Sequence, residues 1–266
     1  MNRRSAGAAS WIAFRALVGR DLAVLRQTIK QFLPRVILQP LLLMFVFTYV
    51  FPKIGQGIGG ANHQFSTLLM AGVVATAMFF QGVQGVALPL VQEFGFTREI
   101  EDRIMAPAPL WVVAASKVAS GALQTMLAGL IVFPIGLFVP ADTIHLHINW
   151  LILLTLAPLV AICAASFGMF FGTRFEARQL PVLFGIIVVP ITFLGCTYYP
   201  WQALRPIRWL QIAVIINPLM YFAEGFRAAL TRSPHISLLV IYPALVAFTA
   251  VLAWTGFRQF RNRVMS

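Results

Sequence analysis

The densest group of side chains able to do chemistry is Glu99-Ile-Glu-Asp102, three carboxylates within four residues. Clustered carboxylates hold hard cations, which would suit a metal-dependent enzyme acting on lipids or isoprenoids at a membrane face. Arg98 and Arg103 bracket the cluster, however, and two guanidinium groups so close would repel a metal. His145 and His147 share a side only in an extended segment and have no neighbouring ligands, so no metal site is expected there either. Cys163 and Cys196 both sit in apolar runs and read as small packing residues. Gly55-Gln-Gly-Ile-Gly-Gly60 spells a dinucleotide fingerprint, yet it follows a long apolar run and opens no strand–helix unit. It reads as a flexible loop. No GxxxxGK[ST] occurs, so these residues carry no phosphate loop.

What remains is charge arranged for contact. Residues 93–109, EFGFTREIEDRIMAPAP, hold Glu93, Glu99, Glu101 and Asp102, half of the eight acidic side chains in the chain. Thr97 can cap a short helix, and Pro107 with Pro109 ends it. On that helix Arg98–Asp102 and Glu99–Arg103 are opposite charges four residues apart, while Phe96, Ile100 and Ile104 make a separate apolar ridge. A short helix braced in this way suits insertion into a groove on a soluble partner. Packing against the chain's own loops is the alternative, since surface ion pairs are common and weak.

The elements that carry this helix are apolar. Of 266 residues, 59% are hydrophobic and 11% charged, and the mean hydropathy is +0.83, which excludes a soluble globular domain. Uncharged intervals measure the spans: 17 residues between Arg35 and Lys53, 39 from Lys53 to Glu93, 24 from Lys117 to Asp142, 31 from Asp142 to Arg174, 26 from Arg178 to Arg205 and 25 from Arg232 to Arg258. A crossing helix needs about 20 apolar residues, because every amide must be paired internally in hydrocarbon. Each interval fits one crossing. The expectation is an all-α integral membrane protein, one domain over 1–266, with six transmembrane helices near 33–52, 66–90, 109–138, 149–172, 180–198 and 237–257.

With both termini cytoplasmic, the inner segments collect 15 of the 20 Lys and Arg. That is the positive-inside pattern, and the net charge of +12 is thus a topology signal, with no basic face gathered for nucleic acid. Arg15, Arg20 and Asp21 interrupt any apolar core of a cleavable leader.

Ahead of the first span, residues 10–31 form an amphipathic helix. Trp11, Phe14, Val18, Leu22, Leu25, Ile29 and Phe32 recur at three- and four-residue steps, with Arg20, Gln27 and Lys30 opposite. A basic amphipathic helix of this kind lies in the lipid head groups, or else packs on a partner protein. In the fourth span Ala164, Gly168 and Gly172 repeat every fourth residue, a groove for close helix approach within the chain or between subunits. After the fifth span, residues 209–223 are uncharged but too few to cross, and the last span must still begin outside. Residues 199–232 therefore read as a re-entrant hairpin in the outer leaflet, turning at Asn217-Pro218, with Glu224 and Arg227 spaced to pair on the returning arm. A solvated external helix is the competing reading.

Together, the entry helix, the six spans, the element Arg98-Glu99…Arg103…Ala106-Pro107 and the stretch Asn217-Pro218-Leu219, Tyr221, Glu224, Arg227 resemble the type-2 ABC exporter permeases. These include nodulation-factor and daunorubicin-resistance export subunits and, more distantly, O-antigen and capsule exporters. The resemblance spans essentially the whole chain. It implies that residues 93–107 are a coupling helix docked on a separate nucleotide-binding ATPase subunit, which would hold the ATP and Mg. It also implies two permease copies facing each other across the substrate path in the cytoplasmic (inner) membrane, and a re-entrant hairpin before the last span. On this reading the chain is a transport subunit and not an enzyme. A secondary transporter is the first rival, although no carboxylate lies deep in a span and no inverted repeat is visible. Twenty-three Phe against eleven Trp plus Tyr favour a hydrophobic or amphipathic cargo (drug, lipid or glycolipid), with polysaccharide as the alternative.

Overall fold

A chain this apolar has one economical way to pair its amides, and it takes it. The computed structural model describes residues 6–54, 64–95, 109–139, 146–176 and 178–265, and among them the backbone is helical almost throughout, with no strand. Apart from a short 3-10 turn at Trp201–Leu204, the described residues form nine helices in order: α1 (Ala6–Gln27), α2 (Ile29–Lys53), α3 (Gln64–Gly95), α4 (Leu110–Phe138), α5 (Trp150–Arg174), α6 (residues 180–193), α7 (Arg208–Ile216), α8 (Pro218–Leu230) and α9 (Leu238–Met265). Five of them, α2, α3, α4, α5 and α9, are long and apolar enough to cross a membrane, and each covers one of the spans read from the sequence to within a residue at its start. Hydroxyls inside these helices are satisfied by their own backbone. Thr48 donates to the Met44 carbonyl at 2.6 Å, Thr125 to Gly121 at 2.8 Å and Ser166 to Ile162 at 2.8 Å.

The span expected at 180–198 differs. Helix α6 stops at Phe193, and its middle turn, Phe184–Val188, is a wider π-helical turn. At about 1.5 Å per residue it rises roughly 21 Å, short of the ~30 Å hydrocarbon core. The helix does not resume beyond Leu194 and Gly195, because the carbonyls of Cys196 and Thr197 are taken by Arg227. The amphipathic helix also has different limits from those expected: within the described residues it runs Ala6–Gln27, and Thr28 turns out of helical geometry.

Helix α3 is the hub. Of its apolar window 89% is buried inside the protein, against 11% for α9. It packs on α2, α4, α5 and α8, while α9 lies along α5 and α1 along α4. Small residues set these distances. Ala164, Gly168 and Gly172 of α5 lie against α3 of the same chain: a Cβ at Gly168 would stand 2.6 Å from the Val83 carbonyl oxygen, and one at Gly172 3.0 Å from the Ala87 Cα. Gly82 of α3 meets Ala164 from the other side, and Gly72 leaves room for the backbone of Thr197. Substituting Gly168→Val should force α5 away from α3 and destabilise the folded protein by about 1–3 kcal/mol. The readout is the melting temperature of the detergent-solubilised protein, and an unchanged value would show that the two helices can separate without loss.

Candidate functional site

Two charged nodes and a polar seam between them are built from side chains that hydrocarbon would otherwise exclude. The first node surrounds α8, all thirteen residues of which are buried. Asn217 starts it: the side chain accepts from Leu219 N at 3.0 Å and donates to the Ile191 carbonyl at 2.7 Å, and Pro218 fits the first turn, where no donor is needed. Helices α7 and α8 meet there at 96°. One turn on, Tyr221 packs its ring 5.8 Å from Phe248 of α9.

Arg227 and Glu224 are both wholly inaccessible and pair at 2.7 Å. The Arg227 guanidinium also donates to the carbonyls of Cys196 and, at 3.1 Å, Thr197; among the described residues its Nε has no partner. Glu224 accepts from Trp201 N and Ile236 N, each at 2.9 Å. One ion pair therefore ties together the segment after α6, helix α8 and the entry to α9. Cys196 has a φ of 52°, a left-handed conformation uncommon for a side-chain-bearing residue, and it aims its carbonyl at the arginine. His147 N and Asn149 N donate to the Leu230 and Ala229 carbonyls and close the far end of α8, while the His147 ring meets Arg232.

The second node lies at the opposite end of α3. Lys117 of α4 pairs with Glu93 at 2.6 Å and Asp21 of α1 at 3.6 Å, all three largely buried. Glu93, counted in the sequence with the acidic block, is thus in the last turn of α3 and turned inward. The remainder of that block, including Phe96, Arg98, Glu99, Ile100, Asp102, Arg103 and Ile104, lies outside the described residues, as do Gly55–Gly60 and His145.

Between the nodes runs a seam that charge counting could not reveal. Gln39, Gln81 and Gln124 each lie within two residues of the midpoint of α2, α3 and α4 respectively. Gln81 Nε2 donates to Gln124 Oε1 at 3.4 Å, and a Cβ at Gly85 would touch both amides. A cavity of about 140 Å³ between α2 and α3 is lined by Arg35, Gln39, Thr76, Gln81 and Gln84. A second, of about 310 Å³, leads from Gln124 past Ser120 and Gln92 to Lys117 and Asp21. In the other direction Thr76 meets the Thr197 hydroxyl at 3.1 Å, and Thr197 is an Arg227 acceptor. On α3, Gln81, Gln84 and Gln92 share one face of the helix at three- and eight-residue steps, and Thr76 lies five residues before Gln81, toward the first node.

A family model described as "ABC-2 type transporter" matches residues 12–231. The chain belongs to that family. It is a permease, the membrane-embedded subunit of an ABC transporter, and membership implies a partner ATPase subunit. The permease is 24% identical over 258 residues to the inner membrane transport permease YadH of Escherichia coli K12, covering 95% of this chain and 97% of the relative. The same identity and coverage hold for the proteins of that name in Escherichia coli O157:H7 and Shigella flexneri.

Of the residues singled out in the sequence, the structure gathers Asn217, Pro218, Glu224 and Arg227 into one node and sets Ala164, Gly168 and Gly172 against α3. Sequence reasoning missed the glutamines because it scored charge, and an amide carries none. Their signal was available as Gln81, Gln84 and Gln92 on one face of an otherwise apolar run. Replacing Arg227 by Met strands a buried carboxylate and should cost the permease ~3–5 kcal/mol, measured by thermal unfolding in detergent. The double change Glu224→Leu with Arg227→Met should recover only part, since Trp201 N and Ile236 N lose their acceptor.

Proposed function

We propose that the permease is the membrane half of an ATP-driven exporter that moves a hydrophobic or amphipathic molecule outward across the inner membrane. The family match over residues 12–231 carries this reading, and the name of the relatives as inner membrane transport permeases supports the location. Two permeases and two ATPase subunits make the working unit, with both termini cytoplasmic. The coupling helix lies within residues 96–107, since 93–95 belong to α3, with Phe96, Ile100 and Ile104 in a groove of the ATPase and Arg98, Glu99, Asp102 and Arg103 bracing it. ATP binding and hydrolysis move that helix, and the motion rocks the spans. Helix α1 lies among the lipid head groups, and α7 with α8 forms a re-entrant hairpin whose Asn217 corner dips into the outer leaflet.

The polar seam supports both the second copy and the path. Arg35 and Gln39 are exposed on α2, at the entrance and the middle of an otherwise apolar span. Polar groups at that depth do not face lipid tails; they face water or protein. The face formed by α2 and α3 is therefore turned to the second permease, and the amides receive the polar part of the cargo as it passes. Separated Lys117, Glu93 and Asp21 charges would be costly in that interior, so the lower node holds α1, α3 and α4 together during the motion.

Charge reversal by Glu99→Arg or Arg103→Glu should reduce co-purification of the ATPase by an order of magnitude while leaving insertion into membranes intact. Unchanged recovery of the ATPase with both variants would refute the coupling role. Separately, Gln39→Cys and Gln84→Cys should react with a water-soluble maleimide in membranes, whereas Leu130→Cys, exposed on the apolar surface of α4, should not. Equal protection of all three would remove the seam from the path.

A further inference from the structure

On the side of the bundle away from the glutamines, an apolar trough opens between α1, α4, α5 and α9. Its volume is about 690 Å³, and its lining includes Phe14, Trp111, Ala119, Met126, Ile162 and Phe257. Ala115, Ala119 and Ala122 of α4, with Ala253 of α9, leave the floor low, and the longer side chains form the walls. From Trp111 to Met126 the trough follows α4 for fifteen residues, or about 22 Å of helix rise. That exceeds half of the ~30 Å hydrocarbon thickness, so the trough runs from a membrane edge to beyond the middle. At the Trp111 end it continues into a second hollow of about 580 Å³ that shares Phe14 and Trp111 and adds Ser10 and Trp11.

The end with the second hollow has the chemistry of a head-group zone. Trp11 and Trp111 are both more than half exposed there, and tryptophan gathers at membrane–water interfaces. Arg15 is exposed on α1, four residues after Trp11 and three before Val18, hence on the face that lines the trough. Arg261 is exposed on α9 and extends the Ala253, Phe257 stripe by one more turn toward the same end. By register, then, Arg15 of α1 and Arg261 of α9 lie on the two helices that flank this end of an apolar slot one acyl chain long.

We infer that this trough is a binding site for an anionic phospholipid, one acyl chain lying along α4 and the phosphate held between Arg15 and Arg261. The site goes beyond the transport reading and stands apart from the seam: its ligand is a resident lipid, and it wedges α1 against α4, α5 and α9.

The test is native mass spectrometry of the full-length protein released from mixed micelles of phosphatidylglycerol and phosphatidylcholine. Wild type should retain phosphatidylglycerol preferentially. Each basic group near a head group favours an anionic lipid by about fivefold, so R15Q/R261Q should lower the preference by about an order of magnitude. This double variant changes only exposed side chains and leaves the fold out of question. Ala119→Trp, which fills the trough, should lose the bound lipid of either kind. Wild-type retention in both variants would overturn the site. So would a disulfide-linked dimer of Ala119→Cys formed with phosphatidylglycerol excluded, which would assign the face to a second copy; Cys163 and Cys196 are buried and give little background. ATPase co-purification is a separate readout, so loss of this site would leave the coupling proposal standing.

Discussion

The Glu224–Arg227 pair is the constraint around which the rest is arranged. Two opposite charges with no access to water are tolerated only when their remaining donors and acceptors are filled, and the fold fills all but one of them from backbone. That requirement explains features that otherwise look unrelated. The chain leaves helical geometry at Leu194 so that two successive carbonyls can face the guanidinium. Cys196 takes a left-handed conformation for the same reason, and Gly72 supplies the hollow in which Thr197 rests. Trp201 and Ile236 bring their amides to the carboxylate from either side of α7 and α8. A sixth full-length helix is given up at this knot, α6 ending at Phe193.

The long helices were readable in the sequence because hydrocarbon imposes so simple a rule. A segment that must pair all its amides internally shows up as an uncharged run, and five such runs became α2, α3, α4, α5 and α9. Residues 180–198 met the same rule and still did not make a full-length helix, because the arginine that claims their carbonyls lies some thirty residues further on. Periodicity reports what a segment prefers, and it cannot report a demand made from elsewhere in the fold. The i,i+3 spacing of Glu224 and Arg227 was visible, but their complete burial was not: nothing local separates an inward pair from an outward one. Lys117 teaches the converse. As one of the basic residues counted for topology it looked like a surface charge, yet it is nearly buried between Glu93 and Asp21.

Charge is thus an incomplete guide to polarity within a membrane. The seam along α3 consists chiefly of amides and hydroxyls, each tolerable alone in an apolar helix because a neighbour or the helix backbone can take its hydrogen bonds. Gathered near the middle of α2, α3 and α4, the glutamines make that level of the bundle hydrophilic without adding charge. The opposite side is lined by alanine, phenylalanine and tryptophan. The molecule is two-sided, and the hub helix separates the two environments.

The glycine and alanine contacts between α3 and α5 carry a mechanical consequence. Backbones brought together by small residues leave no slack between them, and a contact packed that closely moves as a unit. These two helices therefore travel as a single strut. Hinging is left to α2, with its prolines and π-turn, so that any stroke delivered from below tilts the strut as a whole and opens the bundle at that margin.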